Sequence, residues 1–264
     1  MTIHFWLPHI KLSGGVRVIL TYADLLAQRG HSVSIVIPVK AALPRVLGNV
    51  LRRRPQWFPN LSAKIVRVSS WHDAPRAEVI IADSWRAAEA LSKIESKKKI
   101  HFIQHDERLY HGDTQLVSRV YAQPLQKVTV SSWLQDMLRT DFKQNATLLL
   151  NSVDRTLFHP SSTPRQSNEC RVLLLDHEYA WKGTEEGVLL VERLKKTHPH
   201  VKLVMFGTRR SSTPFPCDEY HYNLPQTGLS DLYSSCDVYL CPSWDEGFGL
   251  PSLEAMACGV ALVT

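Results

Sequence analysis

Between Ile3 and Ile37 the chain reads as strand, glycine turn, helix and strand. Ile3-His4-Phe5-Trp6-Leu7 is a short apolar run, and Ser13-Gly14-Gly15 is a turn signal. From Val16 the apolar residues Ile19, Leu20, Ala23 and Ala27 recur at helical spacing. Gly30 stands where a helix C-terminus needs a left-handed residue, and the β-branched run Val33–Ile37 follows as the next strand. Strand, helix and strand in that order imply parallel pairing through a right-handed crossover.

The rhythm continues. Strand-like runs are Val79–Ala82, Ile100–Ile103, Val128–Val130 and Thr147–Leu150, with helical stretches at Trp85–Lys93 and Trp133–Thr140. It restarts after a Pro- and Ser-bearing segment, Asn151–Asn168. Val172–Leu175, a helix over Thr184–Thr197, Val201–Phe206, a helix near Leu229–Ser235, Val238–Cys241, a helix from Pro251 and Val260–Val263 complete it. Two α/β series predict two doubly wound sheets, with ligands at the carboxyl ends of their strands. The expected domains are 1–158 and 159–264, facing each other across a cleft.

Composition narrows the class. Residues 1–150 hold 21 Lys/Arg against 11 Asp/Glu, and residues 151–264 hold 10 against 14, so the +6 net charge joins a basic front half to an acidic back half. That points to different partners for the two halves or to two differently solvated surfaces. Five cysteines, none in a Cys-x-x-Cys pair, argue against a disulfide framework and structural zinc and for a reducing cytoplasm. No apolar run approaches the roughly 18 residues of a membrane span. There is no P-loop, no nucleophile elbow, no Gly-x-Gly-x-x-Gly after the first strand and no Asp-x-Asp metal pair. The expectation is that no metal and no resident cofactor is used.

The most informative string is Asp245-Glu-Gly-Phe-Gly-Leu-Pro-Ser-Leu-Glu254-Ala-Met-Ala-Cys-Gly259. A strand ends, a glycine-rich loop follows, Pro251 fits the first helical position and Gly259 stops the helix. Backbone N–H groups at such a helix start form an anion site, and Gly247 and Gly249 let a ligand come close. Glu246 and Glu254 bracket the loop, and a carboxylate accepts hydroxyl hydrogen bonds in a fork. A phosphate in the middle with hydroxyls at both ends describes a nucleotide-sugar. The plainer alternative is a glutamate beside its own helix and an ordinary loop.

This string closely resembles the nucleotide-sugar motif of glycosyltransferase family 4, retaining enzymes of the GT-B fold. Other stretches resemble that family in matching order: Ser13–Arg17, Arg29–Val33, Asn151-Ser-Val-Asp154 with Phe158 and Pro160, Trp181-Lys182-Gly183, and Leu232–Val238. The resemblance implies that Glu254 accepts ribose hydroxyls and Glu246 those of the donor sugar. Lys182 and the amides of Gly247, Phe248, Gly249 and Leu250 would hold the diphosphate. Gly14 and Gly15 form an acceptor or phosphate loop, and His105, at a strand end, touches the transferred sugar. It also implies transfer to a glycan or lipid-linked acceptor. Two departures stand out. No arginine precedes Lys182, which leaves His177 as the nearby cationic candidate. The family also continues for on the order of a hundred residues beyond Thr264, so the second domain is expected to be incomplete and the chain apparently truncated. The competing expectation is therefore a non-catalytic nucleotide-sugar-binding or partner-completed subunit. Arg52, Arg53 and Arg54 with Trp57 suit an anionic membrane surface or a phosphorylated acceptor, against an exposed helix. Nucleic acid is not expected, because no binding fold accompanies the charge. The expected location is the cytoplasm, with the basic segment placing it at the inner membrane face.

Overall fold

The computed structural model describes residues 1–39, 54–110, 113–161, 168–208 and 212–264. The chain divides into two compact units, Met1–Asn151 and Ser152–Thr264.

In the first unit, seven parallel strands form one sheet: β1 (Thr2–Trp6), β2 (Ser32–Pro38), β3 (Lys64–Val68), β4 (Val79–Ala82), β5 (Lys98–Ile103), β6 (Gln126–Thr129) and β7 (Ala146–Leu148). Their order is β3-β2-β1-β4-β5-β6-β7, so the direction of winding reverses between β1 and β4. The helices are α1 (Gly14–Gln28), α2 (Trp85–Ser92), α3 (Thr114–Tyr121) and α4 (Ser132–Phe142). Helix α1 buries Val16, Ile19, Leu20 and Ala23. Its end is the expected one: Gly30 adopts φ 86°, its N–H donates to the Ala27 carbonyl, and the His31 N–H donates to Leu26. These are the two bonds of a Schellman cap. The start differs from expectation. The Ser13 hydroxyl accepts from the Val16 N–H, and Gly14 and Gly15 lie inside the first helical turn, not in a preceding loop.

The second unit repeats the pattern with five parallel strands: β8 (Cys170–Leu175), β9 (Val201–Gly207), β10 (Glu219–Tyr222), β11 (Val238–Leu240) and β12 (Ala261–Val263). Their order, β10-β9-β8-β11-β12, reverses between β8 and β11. The helices are α5 (Thr184–Lys195), α6 (Gln226–Ser234) and α7 (Leu250–Ala257). Because side chains alternate along a strand, β8 feeds two cores. Val172 and Leu174 pack with Val188 and Val191 of α5. Leu173 packs with Tyr233 of α6 and Ala255 of α7. Both faces of the sheet are thereby covered. Leu173 is fully buried, and cutting it to alanine costs about 2–5 kcal/mol.

The sequence reading put the boundary after residue 158; residues 152–158 instead pack with the second unit. Phe158 stands in its core, and the Ser230 hydroxyl donates to the Leu157 carbonyl. Strands β3 and β10 and helix α3 add to the expected elements. Among the described residues no helix is long and apolar enough to cross a membrane.

Candidate functional site

The site assembles at the carboxyl ends of β8 and β11, the switch point where doubly wound sheets bind ligands. The loop after β8 runs from Asp176 to Gly183. Thr184 fastens its two ends: its hydroxyl donates to the Leu175 carbonyl and accepts from the His177 N–H, both at 3.1 Å. A short 3-10 turn, Ala180–Lys182, presents Lys182. Gly183 follows at φ 64°, packed so tightly on Pro242 of the loop after β11 that a β-carbon would meet its carbonyl. The Trp244 N–H donates to the Trp181 carbonyl at 2.8 Å. The two loops are thus locked together backbone to backbone.

Across that lock, Lys182 Nζ lies 2.7 Å from Glu246 Oε1. Both side chains are mostly shielded, at 18% and 29% exposure, so the pair is screened less than a surface ion pair. Two residues expected to contact a donor separately are therefore held to each other. Gly249 follows at φ 82° as the N-cap of α7, with no side chain to cap it. The helix begins at Leu250, so Pro251 occupies the second helical position and not the first. That start leaves the amide end of α7 beside the Lys182–Glu246 loop, and an anion there gains from both amides and helix dipole.

Glu254 lies one turn into α7 and is only 2% exposed. It accepts from the Tyr233 hydroxyl at 3.3 Å. Tyr239 is fully buried, which pushes its pKa well above the ordinary phenol value, and Cys241, Glu246 and Glu254 raise it further. His177, the cationic candidate near Lys182, accepts at Nδ1 from the Tyr179 N–H at 3.2 Å, a bond within the 177–179 turn. Among the described residues, no three His, Cys, Asp or Glu side chains converge as a metal site does.

The remaining expected residues belong to the first unit. Gln104 Nε2 donates to the Gly15 carbonyl at 3.1 Å and lies where a Gly15 side chain would start. Gly15 thus makes room for a residue at the end of β5. His105 follows, with its ring against Tyr110 and Trp133. The sequence reading missed what fixes it. Tyr121 Oη donates to the His105 carbonyl and accepts from the Glu107 N–H, and Glu107 Oε2 accepts from the Trp85 N–H at the start of α2. Burial pushes the Glu107 carboxyl up to about 8, with Asp83 and Asp106 adding to the rise. Burial likewise lifts Asp83 to about 7. Arg52 and Arg53 lie outside the described residues. Arg54 is exposed and donates to the Pro59 carbonyl, and Trp57 packs edge-on against Phe58.

Fold and site define a class: two Rossmann-like sheets of GT-B type. Residues 159–264 match the family described as Glycosyl transferases group 1. Over 95% of its length the chain is 26% identical to the O-antigen biosynthesis protein RfbC of Myxococcus xanthus, covering 20% of that protein. Over 38% of its length it is 31% identical to the O-antigen chain mannosyltransferase B of Escherichia coli, covering 33% of it. The chain thus spans about a fifth and a third of these relatives. Its fold is that of the sucrose-phosphate synthase from Thermosynechococcus elongatus, with a TM-score of 0.74 at 16% identity over 99% of this chain and 80% of that one.

Proposed function

We propose that this chain is a retaining glycosyltransferase that moves a sugar from a nucleotide-diphosphate-sugar to a glycan or lipid-linked acceptor. The observation that carries the reading is the Lys182–Glu246 pair beside the amide end of α7. It combines the two chemistries a nucleotide-sugar needs, a cation and amides for phosphate and a carboxylate for hydroxyls. The match of residues 159–264 to group 1 glycosyl transferases supports it, and the O-antigen relatives support a polysaccharide or lipid-linked acceptor.

Lys182 and the amides of Gly247, Phe248, Gly249 and Leu250 would hold the diphosphate and stabilise the charge that grows on it as the sugar leaves. That assigns charge stabilisation to the protein without a metal or other resident cofactor. Glu246 would orient Lys182 and accept from the donor sugar. Glu254 would accept the ribose hydroxyls. Such contact requires the Tyr233–Glu254 bond to be shared, because that carboxylate is buried. On the first unit, Gly14, Gly15 and His105 would serve the acceptor and the transferred sugar. In front-face transfer the sugar–phosphate bond breaks as the acceptor oxygen bonds to the same face of the sugar. The departing phosphate then takes the acceptor proton.

Calorimetric titration with UDP and GDP tests the donor side. One of them should bind the wild type, and Lys182→Met should weaken it about 10- to 100-fold, the range for losing a charge-assisted bond of about 1.5–3 kcal/mol. Absence of binding by either nucleotide would overturn the assignment. Residues Arg52, Arg53, Arg54 and Trp57 would bring the chain to an anionic membrane face in the cytoplasm. Vesicle sedimentation with and without anionic lipid tests that part.

A further inference from the structure

A cavity of about 310 Å³ opens at the carboxyl ends of β1, β2 and β3, within the size range of small-molecule sites. It is lined by residues 8–11 of the loop after β1, residues 37–39 at the end of β2, and Arg67 of β3. This is the edge at which doubly wound sheets hold ligands. Its walls are tied to the sheet by backbone bonds. The Leu7 N–H donates to the Val36 carbonyl at 3.1 Å, and the Val39 N–H donates to the Val68 carbonyl at 2.8 Å. Arg67 stands opposite Ile37 in the β2–β3 register.

The side chains of the lining are apolar apart from His9, Lys11 and Arg67. All three carry or can take a positive charge, and no carboxylate lines the cavity among the described residues. Burial, then the neighbouring Lys11 charge, holds the His9 imidazole below its ordinary pKa, which a bond to its own backbone partly offsets. Burial lowers Arg67 as well. Like charges gathered with partial loss of water are costly, and an anion among them removes that cost. His9 and Lys11 are exposed and Arg67 is half-buried, so an incoming group can reach all three.

These groups also fix the ligand's chemistry. A carboxylate brings a single charge and two oxygens in one plane. A phosphate ester brings about −1.5 to −2 near pH 7 and three acceptor oxygens pointing apart. Donors arriving from separate segments suit the second shape. Arg67 supplies a fork of N–H groups, Lys11 a point charge, and His9 a donor that takes up a proton as the anion arrives.

We propose that the cavity of His9, Lys11 and Arg67 binds a phosphate ester or diphosphate group carried by the acceptor. This rests on the reading that places the acceptor on the first unit.

NMR titration of the full chain tests it through the His9 C2–H signal, assigned by its loss in His9→Gln. The soluble probes are glycerol 3-phosphate and inorganic pyrophosphate, with glucuronate as the carboxylate comparison. Sedimentation with phosphatidylcholine vesicles, with and without phosphatidic acid, presents the same phosphate chemistry on a lipid. At least one soluble phosphate probe should shift the His9 signal saturably and move its titration midpoint upward by about half a pH unit, because a nearby anion favours the imidazolium. The other charged groups lining the cavity are Lys11 on the same loop and Arg67 on β3, while β2 contributes Ile37, Pro38 and Val39. Failing a soluble response, binding to phosphatidic acid vesicles that the variants weaken assigns the group to a lipid. Lys11→Gln and Arg67→Gln should each weaken the response at least fivefold. UDP and GDP affinities should stay within twofold in both variants, and Lys182→Met, on the donor side, should leave the His9 response unchanged. An unmoved His9 signal together with vesicle binding that the variants do not alter would overturn the proposal. So would an equal response to glucuronate, or a tenfold fall in UDP or GDP affinity in Lys11→Gln, which would make the cavity part of the donor site. Exposure of His9 and Lys11 makes misfolding of their variants a minor concern, and melting curves check it. If the wild type binds neither UDP nor GDP, the donor assignment fails on its own while the His9 signal still decides the role of this cavity.

Discussion

Gly183 and Pro242 meet so closely that a β-carbon on Gly183 would fall 2.8 Å from the Pro242 carbonyl carbon and nearer still to its oxygen. The contact sits at φ 64°, between the loop that presents Lys182 and the loop that presents Glu246.

Gly183→Ala should therefore damage the site from outside it. The left-handed backbone alone costs about 1–2 kcal/mol for a residue with a side chain, and the collision must move one loop. The expected outcome is a melting temperature several degrees lower together with nucleotide affinity at least tenfold weaker. A stable variant with wild-type affinity would show that the two loops are not held by this contact.

Glu246→Gln removes one charge of the Lys182 pair while keeping its size. Nucleotide affinity should change by less than fivefold, since Lys182 remains. Turnover with a matched donor and acceptor should fall at least tenfold, because Glu246 is assigned to the transferred sugar. Steady-state kinetics and nucleotide titration separate the two effects. The opposite pattern, weak nucleotide binding with normal turnover, would give Glu246 only the task of positioning Lys182.

The first unit has a pH signature. The Glu107 carboxyl is raised to about 8 in the folded chain by burial, above its unfolded value of about 4.3. Between these values the folded state holds the proton more tightly, so stability falls as pH rises from about 4.5 to about 8. Asp83, lifted to about 7, acts in the same direction. Glu107→Gln keeps an acceptor for the Trp85 N–H and cannot ionise. Urea unfolding from pH 5 to 8 should show a flatter stability profile for the variant than for the wild type. Parallel profiles would place the proton elsewhere.

Glu254 combines burial with a proposed ligand role, so two variants are needed. Glu254→Ala removes the acceptor for the Tyr233 hydroxyl and should lower stability by about 1–3 kcal/mol. Glu254→Gln keeps an acceptor and should melt near the wild type, yet bind nucleotide several-fold more weakly than the wild type. Comparing nucleoside diphosphate with inorganic pyrophosphate locates the loss: only the ribose-bearing ligand should be affected.

Much of this arrangement is readable along the chain. The β1–α1–β2 unit, the Gly30 cap and the helix after the glycine loop follow from local patterns of apolar and glycine residues. The pairing of Lys182 with Glu246 does not, because it joins residues 64 positions apart and depends on β8 and β11 being neighbours. Strands β3 and β10 were hidden for a physical reason. Each is the outer strand of its sheet, and Lys64, Arg67 and Glu219 interrupt the apolar signal as edge strands require. The burial of Glu254 was illegible too, since its helix position gives no hint that Tyr233 lies over it. Gly14 and Gly15 misled in a smaller way: a glycine pair signals a turn, but the Ser13 cap draws both into α1.

The most direct test of the central assignment is calorimetric titration of the intact chain with UDP-sugars and GDP-sugars, in wild type and Lys182→Met. The account predicts one-to-one binding of one nucleotide class by the wild type, weakened at least tenfold in the variant. Wild-type binding to neither class, or identical affinity in both proteins, would contradict it.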